Sequence, residues 1–241
     1  MPRLDAWGLT DTGPVRQNNE DNWLYDAPLA LAVVADGMGG AACGEIASAV
    51  TIEAVSCFTR HPPEPLPRDQ LLKEAIREAN RRVLARAQLE TDCNGMGSTI
   101  VAVWFQLPQV VIANVGDSRA YLRRGGALQQ LSYDQTLANE LRRTLGLSEE
   151  QIAEYPHRNV LTMAVGSGAE VLIQVKEERL EPGDEILLCS DGLSGVVSDA
   201  ALGEILARGR PVRQTAEELI EAAKQAGTQD NVTVVVVRYT E

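Results

Sequence analysis

Apolar residues recur along this chain with two different periods. Short runs that alternate or are wholly apolar, closed by glycine, asparagine, aspartate or proline, predict strands. They fall over Asp5–Asp11, Trp23–Tyr25, Leu29–Ala35, Thr99–Phe105, Val110–Val115, Ala120–Arg123, Val171–Lys176, Glu185–Cys189 and Val232–Tyr239. A helical period governs Glu45–Phe58, Arg68–Leu89 and Val212–Gln225. In the second of these Leu72, Ala75, Ile76, Ala79, Val83 and Ala87 form one stripe, with Lys73, Glu74, Arg77 and Glu78 outside it. The third carries Ala216, Leu219, Ile220 and Ala223 and runs out at Gly227, a suitable helix stop. The linker His61–Pro67 is too short to separate domains, and no repeat is visible. Consecutive strands without intervening helices imply antiparallel pairing. An α+β fold follows, with helices on the outside of a strand-rich core, and residues 1–241 are expected to form one domain.

Composition narrows the class. With 241 residues and 44% hydrophobic content the chain can build a proper core. Its net charge of −12 disfavours nucleic acid, whose non-specific affinity comes from Lys and Arg on phosphates. The longest apolar runs, Leu29–Ala35 and Val232–Val237, are strand-sized, so no membrane partner is expected. The first residues lack the layout of a secretory signal, which makes the cytoplasm the expected location and a monomer the default state. Cys43, Cys57, Cys93 and Cys189 are far apart and form no C-x-x-C pair, which argues against a disulfide framework and a zinc site.

The stretch Val33–Ser48, "VVADGMGGAACGEIAS", poses the functional question. Gly37 to Ala42 fits G-x-G-x-x-A, a loose dinucleotide fingerprint. That reading fails in context, because no strand returns until about Thr99 and Asp36 would repel a pyrophosphate. A P-loop fails as well, since no G-K-[ST] follows the glycines. An aspartate ending a strand, followed by glycines that let the backbone bend, suits a hard divalent cation. Further acids share this setting: Asp117 between two strands, Asp191 ending one, Asp230 opening the last, and Glu20 with Asp21 at a strand start. Each alone reads as a turn or cap residue; together they point to one edge of the sheets.

In this constellation the chain resembles the PPM/PP2C family of metal-dependent protein serine/threonine phosphatases, in its compact bacterial form. The matching elements are Arg16-x-x-Asn19-Glu20-Asp21, Asp36-Gly37-Met38-Gly39-Gly40, Met96-Gly97-Ser98-Thr99, Gly116-Asp117-Ser118-Arg119, Ser190-Asp191-Gly192-Leu193 and Asp230-Asn231-Val232-Thr233, in the family's order. The resemblance implies two antiparallel sheets packed as a sandwich, with helices on both outer faces. It implies that Asp36 bridges two Mn²⁺ or Mg²⁺ ions, that the Gly37 carbonyl binds one and that Asp191 and Asp230 complete the other. Glu20 and Asp21 would act through metal-bound waters, Asp117 with Asp191 would form a third metal site, and Arg16 would hold the substrate phosphate. Two ions lower the pKa of a water between them, which attacks phosphorus in line. The implied partners are a phosphorylated protein and a cognate bacterial serine/threonine kinase.

The match departs from the family at Ala41 and Gln135, where histidine is common, and at Met163, where arginine is. His61 and His157 read as surface residues, leaving metal-bound water as the proton donor by elimination. Ser132–Val165, with a helix-like Leu137–Leu145, corresponds to the family's flap. Cysteine phosphatases are excluded because no arginine stands six positions after any cysteine, and D-x-D enzymes because no aspartates are spaced by two. The rival reading is a catalytically silent phosphatase-like module that binds phosphoproteins; it is disfavoured by the presence of Asp36, Asp191 and Asp230.

Overall fold

The computed structural model describes residues 3–39 and 43–240, so Gly40, Ala41 and Ala42 of the glycine loop lie outside the described residues. Two antiparallel sheets carry the fold. The first is built from β1 (Arg3–Asp11), β7 (Arg119–Arg124), β8 (Ala127–Gln130), β10 (Glu185–Cys189) and β11 (Val232–Thr240), in the order β1-β11-β10-β7-β8. The second contains β2 (Asp21–Asp26), β3 (Leu31–Met38), β5 (Ile100–Gln106), β6 (Gln109–Val115) and β9 (Gln174–Arg179), in the order β2-β3-β5-β6-β9. A short β4 (Gly97–Ser98) pairs with the end of β3.

Three apolar clusters match the three interfaces of a four-layer stack. Between the sheets lie Val34, Val101, Val103, Ile112, Ile186, Leu188, Val235 and Val237. On one outer face α1 (Cys43–Arg60) and α2 (Arg68–Leu89) cover the second sheet through Ala47, Val55, Leu72, Ile76 and Val83. On the other, α5 (Asp191–Ser194), α6 (Asp199–Ala207) and α7 (Val212–Gln225) cover the first through Leu193, Leu202, Leu219 and Ile220. β3 and β11 are buried along both faces because each is sandwiched between the partner sheet and helices, which is why they read as continuous apolar runs. The expected α+β sandwich with helices outside is the observed fold.

Some boundaries differ from the sequence pattern. The strand expected at Val171–Lys176 begins at Gln174, because Val171 and Ile173 pack against the α1–α2 core instead of joining the ladder to β6. The four cysteines also need correction: Cys43 and Cys93 form a disulfide, with Cα atoms 5.3 Å apart. Residues 91–93 form a turn of 3₁₀ helix that packs beside the start of α1, and a separation of 50 residues hides this in the sequence. Cys189 is fully buried, as expected of a small hydrophobe.

Residues 132–165 leave and rejoin the sandwich at neighbouring points. Gln135 N–H donates to Gly116 O (2.9 Å), and Val165 and Ser98 exchange backbone hydrogen bonds at 2.8 and 2.9 Å. Between these anchors stand α3 (Leu137–Leu145), capped by Thr136 and closed by Gly146 at φ 64°, and α4 (Glu149–Ala153) with a Ser148–Gln151 capping box. No residue of α3 is buried.

Candidate active site

Antiparallel pairing brings the ends of β1, β3, β6 and β10 to the same edge as the starts of β2, β7 and β11, and every predicted acid sits on that edge. Asp21 opens β2 directly opposite Asp36 near the end of β3. Asp117 lies in the turn from β6 to β7, Asp191 begins α5 where β10 ends, and Asp230 precedes β11. A cavity of about 290 Å³ is lined by Arg16, Glu20, Asp36, Gly37, Thr99, Asp117, Asp191 and Asp230, together with Asn159 and Leu161 from the 132–165 segment. Asp21 is buried behind it.

Hydrogen-bonding residues hold the acids in place. The Asp36 backbone is pinned on both sides: its N–H donates to Thr99 Oγ1 (3.0 Å), and its carbonyl accepts from Thr99 N–H (2.8 Å) and Ser98 Oγ (3.1 Å). Thr99 Oγ1 in turn lies 2.7 Å from Ser118 Oγ. Ser190 Oγ donates to Asp21 Oδ2 (2.7 Å) and accepts from Thr233 N–H (3.0 Å). Asn231 Oδ1 accepts from Glu20 N–H (2.8 Å), while its Nδ2 donates to the carbonyls of Thr12 and Asn18, both at 2.9 Å. Ser98, Thr99, Ser190 and Asn231 had no role assigned from sequence. For Ser190 and Asn231 the signal was there, since each adjoins an acid in its motif; Ser98 and Thr99 meet Asp36 only through strand pairing, which leaves no local mark.

Gly37 and Gly44 show why this loop is built of small residues. A Cβ on Gly37 would overlap the Gly44 carbonyl, and one on Gly44 would strike the Glu20 carboxylate. Glu20 itself accepts a hydrogen bond from the Gly44 N–H at the start of α1.

Electrostatically the edge is crowded with acid. Burial, and then Asp21, Asp191, Asp117 and Asp230, push the Asp36 carboxyl well above its ordinary range. Burial lifts Asp21 to about 7, and the charges of Asp191 and Asp230 add to it. Burial and Asp191 lift Asp117 to about 7. Asp191 is raised by burial and Asp230, although it hydrogen-bonds to Asp36. Glu20 is raised chiefly by burial. Of these edge acids only Asp230 has a protein cation in contact among the described residues: Arg16 Nη2 donates to its Oδ2 at 2.8 Å, and Arg16 Nε donates to Gln229 O at 3.3 Å. The half-exposed Arg16 keeps its remaining donors for another anion.

This donor set fits hydrated divalent cations. Among the described residues no three His, Cys, Asp or Glu side chains close on one point as an all-protein cage. Mg²⁺-type ions do not require one, because they keep several waters and take one or two carboxylates each. Uncompensated buried carboxylates are what such ions neutralise.

The residues at the departures have other tasks. Gln135 is buried and staples the 132–165 segment: its Oε1 accepts from Gly116 N–H and its Nε2 donates to Leu172 O, both at 2.8 Å. Met163 packs against the α1–α2 core and does not line the acid cavity. His61 and His157 are exposed, as expected, and neither lines the cavity. Ala41 lies outside the described residues.

Known proteins share this chain's family and fold. Residues 14–234 match the family model of protein phosphatase 2C. The chain is 37% identical over 234 residues to the serine/threonine phosphatase stp of Listeria innocua, covering 95% of this chain and 93% of that one. The crystal structure of the Mycobacterium tuberculosis serine/threonine phosphatase PstP/Ppp superposes with a TM-score of 0.90 at 36% identity, covering 99% of each chain. The catalytic domain of PstP in complex with two manganese ions superposes at 0.88 with 35% identity, over 100% of each chain. The chain therefore belongs to the protein phosphatase 2C family, as a bacterial PPM-type member. It is a protein serine/threonine phosphatase.

Proposed function

We propose that this enzyme hydrolyses phosphoserine and phosphothreonine by direct attack of water, with Asp36, Asp191, Asp230 and the Gly37 carbonyl holding two Mn²⁺ or Mg²⁺ ions. The supporting observation is the group of buried carboxylates around one cavity, with protonation pushed up and almost no protein cation to offset them. When bound, the ions supply Lewis acidity and neutralise phosphoryl oxygens. Glu20 and Asp21 hold the hydrating waters, and Asp117 with Asp191 takes a third ion.

The chain's own groups do the rest. Arg16 binds the phosphate with the guanidinium donors left over from Asp230 and Gln229, a planar fork that holds phosphoryl oxygens in line for displacement. Asp230 positions that fork. Thr99 and Ser98 fix the Asp36 backbone, so its carboxylate needs no reorganisation as charge develops on the phosphoryl group. The 132–165 segment, placing Asn159 and Leu161 over the cavity, acts as a flap that shapes substrate entry. The reading extends to a single-domain monomer opposing a cognate serine/threonine kinase.

Hydrolysis of a phosphothreonine peptide is the direct test. Turnover is expected with Mn²⁺ or Mg²⁺, to vanish on chelation and to return with Mn²⁺. Asp230→Asn should abolish it while leaving the circular dichroism spectrum unchanged. Full activity in that variant would sink the metal assignment, and inactivity of the folded wild type with either ion would favour the silent phosphoprotein-binding module.

A further inference from the structure

A second cavity, of about 580 Å³, opens on the outer side of Arg16 and shares Arg16, Asp191 and Asp230 with the acid cavity. Its remaining lining is Val15, Gly192, Gly195, Val196, Gly227, Thr228 and Gln229, so the two valines are its apolar side chains. Val15 is 61% exposed and Val196 39% exposed. Among the described residues they are the two exposed large hydrophobic side chains beside Arg16; the others, such as Leu89, Leu145 and Tyr155, line neither cavity.

Both valines stand on braced loops. The loop carrying Val15 is held by Asn231 through the carbonyls of Thr12 and Asn18. The turn carrying Val196 is held by Gly195 N–H to Asp191 O (2.6 Å) and Val196 N–H to Leu193 O (3.2 Å). The two valines are thus held in place by the same residues that position the acids. The charged groups in the wall are already committed, Asp191 to the acid cluster and Asp230 to Arg16.

We propose that this cavity receives an aliphatic side chain of the substrate polypeptide flanking the phosphoserine or phosphothreonine, with Val15 and Val196 as specificity-determining residues. The inference rests on the phosphatase reading above, with the phosphate at Arg16, and adds the chemistry of the neighbouring residue. Burying one aliphatic side chain there discriminates by about tenfold or more, the usual yield of a small apolar subsite.

The test uses Mn²⁺-loaded enzyme and phosphothreonine peptides that are identical except for Leu, Ala, Lys or Asp at each of the two positions on either side of the phosphoresidue. At one or more of these positions the wild type should show kcat/KM about tenfold higher for Leu than for Lys or Asp. In Val15→Ser/Val196→Ser the Leu:Lys ratio should fall to within about twofold at the same position. The ratio is taken within each enzyme, so a general loss of activity cancels. Equal kcat/KM for all flanks in the wild type, or a Leu preference that survives in the double variant, would overturn the proposal. Turnover of p-nitrophenyl phosphate is followed in parallel. If wild type cleaves it and the peptides without flank preference, this inference alone fails; if it cleaves nothing, the phosphatase reading fails.

Discussion

Strand β10 carries acids at both ends, and the two ends treat them in opposite ways. At its start Glu185 is 1% exposed, yet Arg238 donates twice to its Oε1 (2.8 and 2.6 Å) and Arg123 reaches its Oε2 at 3.4 Å. Asp184 beside it is gripped by Arg124 through three hydrogen bonds of 2.6–3.1 Å. Where β10 ends, Asp191 joins Asp36, Asp21 and Asp117, none of which has an ion pair among the described residues. Arg119 is close by but is committed to Asp134 (2.9 and 2.6 Å) and the Tyr121 hydroxyl (2.9 Å). One end satisfies its buried acids with protein cations, so they serve the fold. The other leaves them uncompensated, which favours binding a cation from outside.

Exchanging charges at the two ends should separate activity from stability. Asp36→Asn or Asp191→Asn should cut kcat/KM by on the order of a thousandfold, from the loss of about 4 kcal/mol of transition-state charge stabilisation. The same variants, stripped of metal, should melt no lower than the chelated wild type, because a mutual repulsion has been removed. At the opposite end Glu185→Gln should do the reverse. It leaves two arginines without their buried partner and should cost about 3 kcal/mol in denaturant unfolding, with kcat/KM intact. Arg16→Lys keeps the charge but loses the fork, and should raise KM for phosphopeptide about tenfold with little loss of Mn²⁺ affinity by calorimetry.

The smallest expected effect is in pH dependence. Asp21 and Asp117 have folded-state values of about 7 against an ordinary 3.8, so the folded metal-free protein binds more protons than the unfolded chain between those limits. Their contribution to stability is complete below about pH 4 and is lost as pH rises towards 7. Chelated protein should therefore melt a few degrees lower at pH 7.5 than at pH 5 through these groups. Added Mn²⁺ should raise the melting temperature more at pH 7.5, where protons no longer compete. An equal Mn²⁺ effect at both pH values would show that the raised carboxyls are not where the ion binds.

The acid edge was legible because each of its carboxylates interrupts an apolar run, and in an antiparallel sheet alternate strand ends meet at one edge. The sandwich was legible for the same reason: Val33–Ala35, Val110–Val115 and Val232–Val237 are buried on both faces and could only be internal strands. Other features carried no such mark. β8 is a short, half-exposed edge strand, Ala-Leu-Gln-Gln, with no alternation to read. Gln135 looked like a vacant catalytic position, whereas it is a buried staple whose partners, Gly116 and Leu172, are 19 and 37 residues away. The pairing of Asp230 with Arg16 spans 214 residues and depends on β1 and β11 lying side by side. Distant partners of this kind leave no local periodicity.

The Cys43–Cys93 bridge closes residues 43–93, the α1–α2 hairpin, into a covalent ring. The linker His61–Pro67 is the exposed tip of that ring. A protease cut there would open the ring without dividing the molecule: the two fragments would remain one species until a reductant released them. On either side of the cut, each fragment contributes acids to the same cavity, Asp36 from one and Asp117, Asp191 and Asp230 from the other. In its oxidised form the bridge thus makes the active site tolerant of a break in its own backbone.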